Sequence, residues 1–163
     1  MSNSLKVYID DVRRALNSTL CHIHFPSPFT DGVEYPEIED GRLSDAIVKP
    51  VSIVRNEREE TLIEHSINST RISFKIKQLD SVDKIVCEKY MRLLMAQADS
   101  IPILRRKAVD GYDITFLVTA DHKRAESIDF IISFLTRIDS EISALKLEMN
   151  SRNRSIADSL LNQ

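Results

Sequence analysis

The stretch KRAESIDFIISFLTRIDSEISALKLEMNSRNRSIADSLL, Lys123 to Leu161, contains neither glycine nor proline, and its apolar residues return every three or four positions. Ile128, Ile131, Leu135, Ile138, Ile142, Leu145 and Met149 form one seam, which Ile156 and Leu160 resume after the polar MNSRNRS run. That spacing predicts a single amphipathic helix. At ~1.5 Å per residue, a helix of about 39 residues is roughly 58 Å long. A compact chain of this size is only about 40 Å across. The helix must therefore outrun its own domain, and its far seam stays wet unless another chain covers it. A kink near Asn150 would avoid this, but no proline or glycine is there to cause one.

Working back along the chain, IPILRR and YDITFLVT predict a hairpin around Val109-Asp110-Gly111, with the glycine supplying the positive φ of the turn. Pro102, near the start of the first of these strands, suits a sheet edge. In TRISFKIK the residues alternate. Ile72, Phe74 and Ile76 face one way and Arg71, Ser73, Lys75 and Lys77 the other, as in a half-buried antiparallel strand. PVSIV and TLIEHSI, separated by the polar RNERE, complete a three-stranded meander. Asp80 can cap a helix running to about Ala98, with Val82, Ile85, Val86, Tyr90, Leu93 and Leu94 on one face. A first helix, Ser4 to about Leu20, carries the stripe Leu5, Tyr8, Ile9, Val12, Leu16 and Leu20. Between the two lie residues 25–50, with four of the five prolines and six carboxylates against two cations. They predict an extended acidic connector, either a surface loop or a strap laid over a partner. The fold class is therefore α+β: an N-terminal helix, an antiparallel sheet with one packed helix, and a long C-terminal helix that leaves the body to pair with a partner subunit. Residues 1–121 form the body and 122–163 the interaction helix.

A net charge of -3, from 22 basic and 25 acidic residues, gives no general attraction for nucleic acid or an anionic membrane. Any electrostatic partner must be met by a local patch. The N-terminus has no apolar signal region and no apolar run approaches membrane-spanning length, so a cytoplasmic protein is expected. Cys21 and Cys87 read as reduced, buried thiols. Three isolated glycines, Gly32, Gly41 and Gly111, cannot build a phosphate cradle. Cys21-His22-Ile23-His24 is the one concentration of soft ligands, while His65, Cys87 and His122 are scattered, so no metal is expected. His65-Ser66 lacks the context of a hydrolase nucleophile. Asp10-Asp11 and Glu59-Glu60 are consecutive and point to different sides, unlike an acid/base pair. The sequence thus offers no catalytic residue and no cofactor site. Its distinctive charges are cations: Arg55, Lys75 and Lys77 on strands, Arg105, Arg106 and Lys107 at the hairpin, and Arg152 and Arg154 late on the helix. Guanidinium groups bind carboxylates in two-pronged pairs, and aromatic interleaving for nucleic acid is sparse, so an acidic protein surface is the natural counterpart.

The runs PVSIVRNEREETLIEHSINSTRISFKIKQLDSVDKIVCEKYMRLLMAQ and ILRRKAVDGYDITFLVT, together with KVYIDDVRRALNSTLC, YPEIE and IDSEISALKLEMNSRNRSIADSLL, closely resemble the subunit 4 (20 kDa) family of the actin-related protein 2/3 complex. The resemblance implies a non-catalytic scaffold subunit in the cytoplasmic actin cytoskeleton, within a complex that nucleates branched filaments with a nucleation-promoting factor. It implies subunit 2 as the main partner, held along the seam Ile128, Ile131, Leu135, Ile138, Ile142, Leu145 and Met149, with other subunits and the actin filament as further partners. By motif, Arg55 of VRNE, Arg105, Arg106 and Lys107 of ILRRK, and Arg152 and Arg154 of NSRNRS become candidates for facing actin or a neighbouring subunit. CHIHFPSPFTDG and VTADHKRAESIDF depart from the family pattern, so contacts of residues 22–34 and 120–127 do not carry over. Residues alone leave a competing reading, a self-associating helical adaptor whose long helix pairs with its own copy. A small enzyme would need a convergent polar cluster that the sequence does not supply.

Overall fold

The computed structural model describes residues 3–21, 36–39, 48–66, 68–76, 78 and 80–162. Helix α1 (Asn3–Leu20) is followed by a 3-10 turn at Glu37–Glu39, strands β1 (Val48–Asn56), β2 (Glu59–His65) and β3 (Ser69–Lys75), and helix α2 (Ser81–Ala96). A second 3-10 turn at Ala98–Ser100, strand β4 (Ile114–Thr119) and helix α3 (Arg124–Leu161) complete the chain. The strands form one antiparallel sheet in the order β1-β2-β3-β4.

Period-two alternation sets the two faces of that sheet. Ile63, Ile72 and Phe116 stand side by side in one row, and Thr61, Phe74 and Ile114 in the next. All six are buried, and the three helices close over them. Phe116 meets Phe134 of α3 edge-on at 5.3 Å between ring centres and Phe74 at 5.7 Å, while Tyr90 of α2 stacks on Phe134 at 6.4 Å. The expected stripe of α1 is buried throughout. On the opposite face, Ser73 was expected to meet solvent, yet it is fully buried. Its hydroxyl pairs with that of Thr115 at 3.0 Å, and the backbone N–H of Val109 donates to the Thr115 hydroxyl at 3.0 Å. The turn after residue 105 thus lies across this face. Lys77 lies outside the described residues.

Local chemistry explains most boundaries. The Asp80 carboxylate accepts from the backbone N–H of Asp83 at 2.8 Å and starts α2. Lys146 of α3 reaches the same end, 2.7 Å from Asp83 and 3.6 Å from Asp80. Asn56 turns β1 into β2 by accepting from the N–H of Arg58 at 2.9 Å. Gly111 adopts φ +87 inside the turn closed by Tyr112 N–H to Val109 carbonyl, 3.0 Å.

Four further expectations need correction. IPILRR does not form a regular strand: it touches β4 through one bridge, Leu104 to Phe116, with bonds from Leu117 N–H to Ile103 carbonyl (2.7 Å) and Arg105 N–H to Thr115 carbonyl (2.9 Å). Pro102 has no donor to offer, and the N–H of Leu104 turns back to Ile101. The predicted face of α2 splits. Val86, Cys87, Tyr90 and Leu94 are buried, whereas Val82, Ile85 and Leu93 are exposed, because only one flank of the helix packs into the core and Leu93 lines the open α2–α3 groove. Cys21 is exposed, although Cys87 is buried, and both are free thiols. Most of the 25–50 connector lies outside the described residues, but Pro36–Glu39 is wound rather than extended, with Glu39 N–H donating to Pro36 carbonyl at 3.0 Å. Pro50 falls inside β1, an edge strand, at a register shift where its missing N–H breaks no ladder.

The long helix is continuous from Arg124 to Leu161, with no break near Asn150.

Candidate interaction surfaces

Two surfaces follow from this architecture. The first is built where the 3-10 turn at Glu37–Glu39 meets the back of the sheet. Ile38 is buried there, its N–H donating to the Ser69 hydroxyl at 3.2 Å, and the N–H of Glu37 donates to the Asn68 side chain at 2.9 Å. Glu39 then faces two guanidinium groups. Arg105 donates to it through Nε (2.8 Å) and Nη2 (3.1 Å), and Arg71 through Nη1 (3.3 Å). Arg71 also donates to Glu64 across the β2–β3 pair at 2.9 Å. Burial alone would lower the Arg71 guanidinium, but Glu64 and Glu39 outweigh it and hold it above its ordinary range. Beside this ion cluster, Arg106 and Lys107 are exposed. Arg106 pairs with Asp99, itself at the surface.

The second surface is the distal part of α3. Ile128, Ile131, Leu135 and Ile138 are buried in the chain's own core, and Ile142 and Leu145 pack at its margin. Beyond Asn150 every described residue is exposed. Leu147 is 70% exposed, Ile156 58%, Leu160 67% and Leu161 83%. A groove of about 380 Å³ runs between α2 and α3, lined by Tyr90, Leu93, Leu94, Gln97, Glu141, Ala144, Leu145 and Glu148. Arg152 pairs with Glu148 on the same helix, and Arg154 is exposed.

Arg55 belongs to neither surface. One extra residue in β1 between Val54 and Asn56 forms a bulge that turns Arg55 inward, where it meets Glu59 at 3.1 Å and Asp139 of α3 at 3.4 Å. Its side chain is only 15% exposed. Among the described residues no three potential metal ligands come together, and no helix is long and apolar enough to cross a membrane. His122, at the β4–α3 turn, accepts at Nδ1 from the N–H of Thr119 at 3.0 Å. Burial holds its imidazole below the usual range, with Asp121 partly opposing.

The family described as ARP2/3 complex 20 kDa subunit (ARPC4) matches residues 1–163. The chain belongs to that family. It is 42% identical to actin-related protein 2/3 complex subunit 4 of Dictyostelium discoideum and 41% identical to the probable subunit 4 of Caenorhabditis elegans, each over 99% of this chain and 98% of the relative. Identity to subunit 4 of Saccharomyces cerevisiae is 39%, over 100% of this chain and 98% of the relative.

The six candidate cations of this chain separate by burial. Arg55 and Arg105 are half-buried in ion pairs with the chain's own carboxylates, whereas Arg106 and Arg152 pair at the surface with Asp99 and Glu148, and Lys107 and Arg154 are exposed. The seam separates likewise: its first four members are buried, Ile142 and Leu145 pack at the core margin, and Ile156 and Leu160 are exposed. Sequence reasoning missed Glu39, Ile38 and Asp139. The one available signal for Glu39 was an acidic motif, YPEIE, in a connector that had to cross the sheet somewhere.

Proposed function

We propose that this ARPC4-family chain is a non-catalytic scaffold subunit of the actin-related protein 2/3 complex, which supports actin nucleation and filament branching in the cytoplasmic actin cytoskeleton. Its 122–163 segment is the interaction element, carried by the 1–121 body, and subunit 2 is the main partner. The observation that carries this reading is the apolar end of α3. A helix of 38 residues is roughly 57 Å long at ~1.5 Å per residue. Burial of each leucine or isoleucine that it leaves in water would contribute roughly 1.5 to 3 kcal/mol. Because Ile128, Ile131, Leu135 and Ile138 are already covered, the partner helix meets Ile142, Leu145 and Met149 and then Ile156 and Leu160.

Actin filament contact is assigned to the outward cations, Arg106 and Lys107 on the shoulder and Arg152 and Arg154 on the helix. Arg55 acts within the subunit, tying the β1–β2 hairpin to α3. Co-expression tests the scaffold reading. The chain should be recovered in a stable pair with subunit 2 and poorly alone; a soluble homodimer that ignores subunit 2 would instead support the self-associating adaptor.

A further inference from the structure

Three parts of the chain meet at the Glu39 carboxylate: the wound turn it belongs to, the back of the sheet through Arg71, and the basic shoulder through Arg105. Arg105 is spent inside the molecule. Nε and Nη2 grip Glu39, Nη1 donates to the Lys107 carbonyl, and the backbone N–H donates to Thr115. The guanidinium therefore bridges a fixed carboxylate and the backbone of the shoulder. Arg106 and Lys107 project from the backbone that this bridge holds.

We propose that Glu39 is a positioning residue for the basic shoulder. Through Arg105 it fixes the 105–107 backbone, so that Arg106 and Lys107, not Arg105, present the charge that meets an acidic protein surface. The inference rests on the filament-contact reading of the shoulder above. It makes a prediction of opposite sign to simple electrostatics. Neutralising Glu39 makes the patch more positive, which should tighten attachment to an acidic surface if charge were all that mattered. If Glu39 holds the shoulder in place, the same change weakens attachment.

The test uses the reconstituted complex carrying Glu39→Gln, Arg105→Lys, both together, or Arg106→Gln with Lys107→Gln. Actin filament binding is measured by co-sedimentation at fixed ionic strength, and amide hydrogen exchange is read at residues 36–39 and 105–109. Glu39→Gln and Arg105→Lys should each weaken binding severalfold and raise exchange in both segments, and the double variant should be no worse than either single one. Arg105→Lys keeps the charge but cannot form the two-pronged pair. Wild-type binding by that variant, tighter binding by Glu39→Gln, or losses that add would each overturn the proposal. If Arg106→Gln with Lys107→Gln binds as wild type, the filament reading of the shoulder fails. Unchanged exchange in Glu39→Gln would overturn the positioning role whatever the binding data show.

Discussion

Tyr8 and Thr61 share a hydrogen bond between their hydroxyls where α1 meets the sheet, and both residues are buried. Burial pushes the Tyr8 phenol up to about 12 from 10.0, with the Thr61 bond opposing. Tyr8→Phe should cost about 1 to 3 kcal/mol, because the Thr61 hydroxyl keeps its desolvation and loses its partner. Adding Thr61→Val should restore much of that loss, and urea unfolding of the two variants would show it. The raised phenol also predicts that wild type loses stability above pH 10, where the unfolded chain ionises and the folded one does not. Tyr8→Phe should lack that part of the alkaline loss. Tyr8 was legible from the sequence as a core residue, because its position on the α1 stripe is a local property. Its bond to Thr61 was not, and neither was the grip of Arg105 on Glu39, sixty-six residues away. Local periodicity says which side of an element faces in; it says nothing about which distant polar group waits there.

At the scale of elements, α3 carries one apolar pattern through two environments, core and solvent. Ile131 is fully buried in the core, so Ile131→Ala should lower the chain's own stability by about 2 to 5 kcal/mol. Leu160→Asp replaces a residue already in water and should leave stability almost unchanged while abolishing co-purification with subunit 2. Thermal unfolding and pull-down on the same two variants would separate the roles; a large loss of stability in Leu160→Asp would mean that the helix end packs on its own body. The seam itself was readable, but not the place where it passes from core to surface. That place is set by α2 and the edge of the sheet, and neither leaves a mark on the α3 sequence. The same limit explains α2, where six apolar residues read as one face and only Val86, Tyr90 and Leu94 of them are buried. A helix with a broad apolar arc records that it is covered, not by how many neighbours. IPILRR failed for a related reason: its apolar alternation was genuine, but Pro102 and the turn of Leu104 back to Ile101 left two bonds where a strand would make a ladder.

For the whole molecule, a net charge of -3 makes any attraction to acidic actin a matter of local arrangement. Charges at the surface act over about 8 Å at physiological ionic strength, so the Arg106–Lys107 shoulder works only at close approach. Filament binding by the complex should therefore fall as salt rises. Arg106→Glu with Lys107→Glu should bind more weakly and respond less to salt, as titrated co-sedimentation would reveal; an unchanged salt response would remove the shoulder from the filament face. Arg105 is better left out of such charge reversals, since a glutamate there would sit against Glu39 and disturb the turn as well as the charge. Family, fold class and the protruding helix were legible from sequence alone, while the division of its cations between half-buried ties and exposed positions needed the third dimension. That protruding helix also has a mechanical meaning. About 18 Å of rod, at ~1.5 Å per residue over Asn150 to Leu161, stands clear of a base whose Phe134 is wedged against Phe74, Phe116 and Tyr90. A close-packed base yields little to a sideways push. A partner fastened to the tip would therefore be aimed as well as tethered.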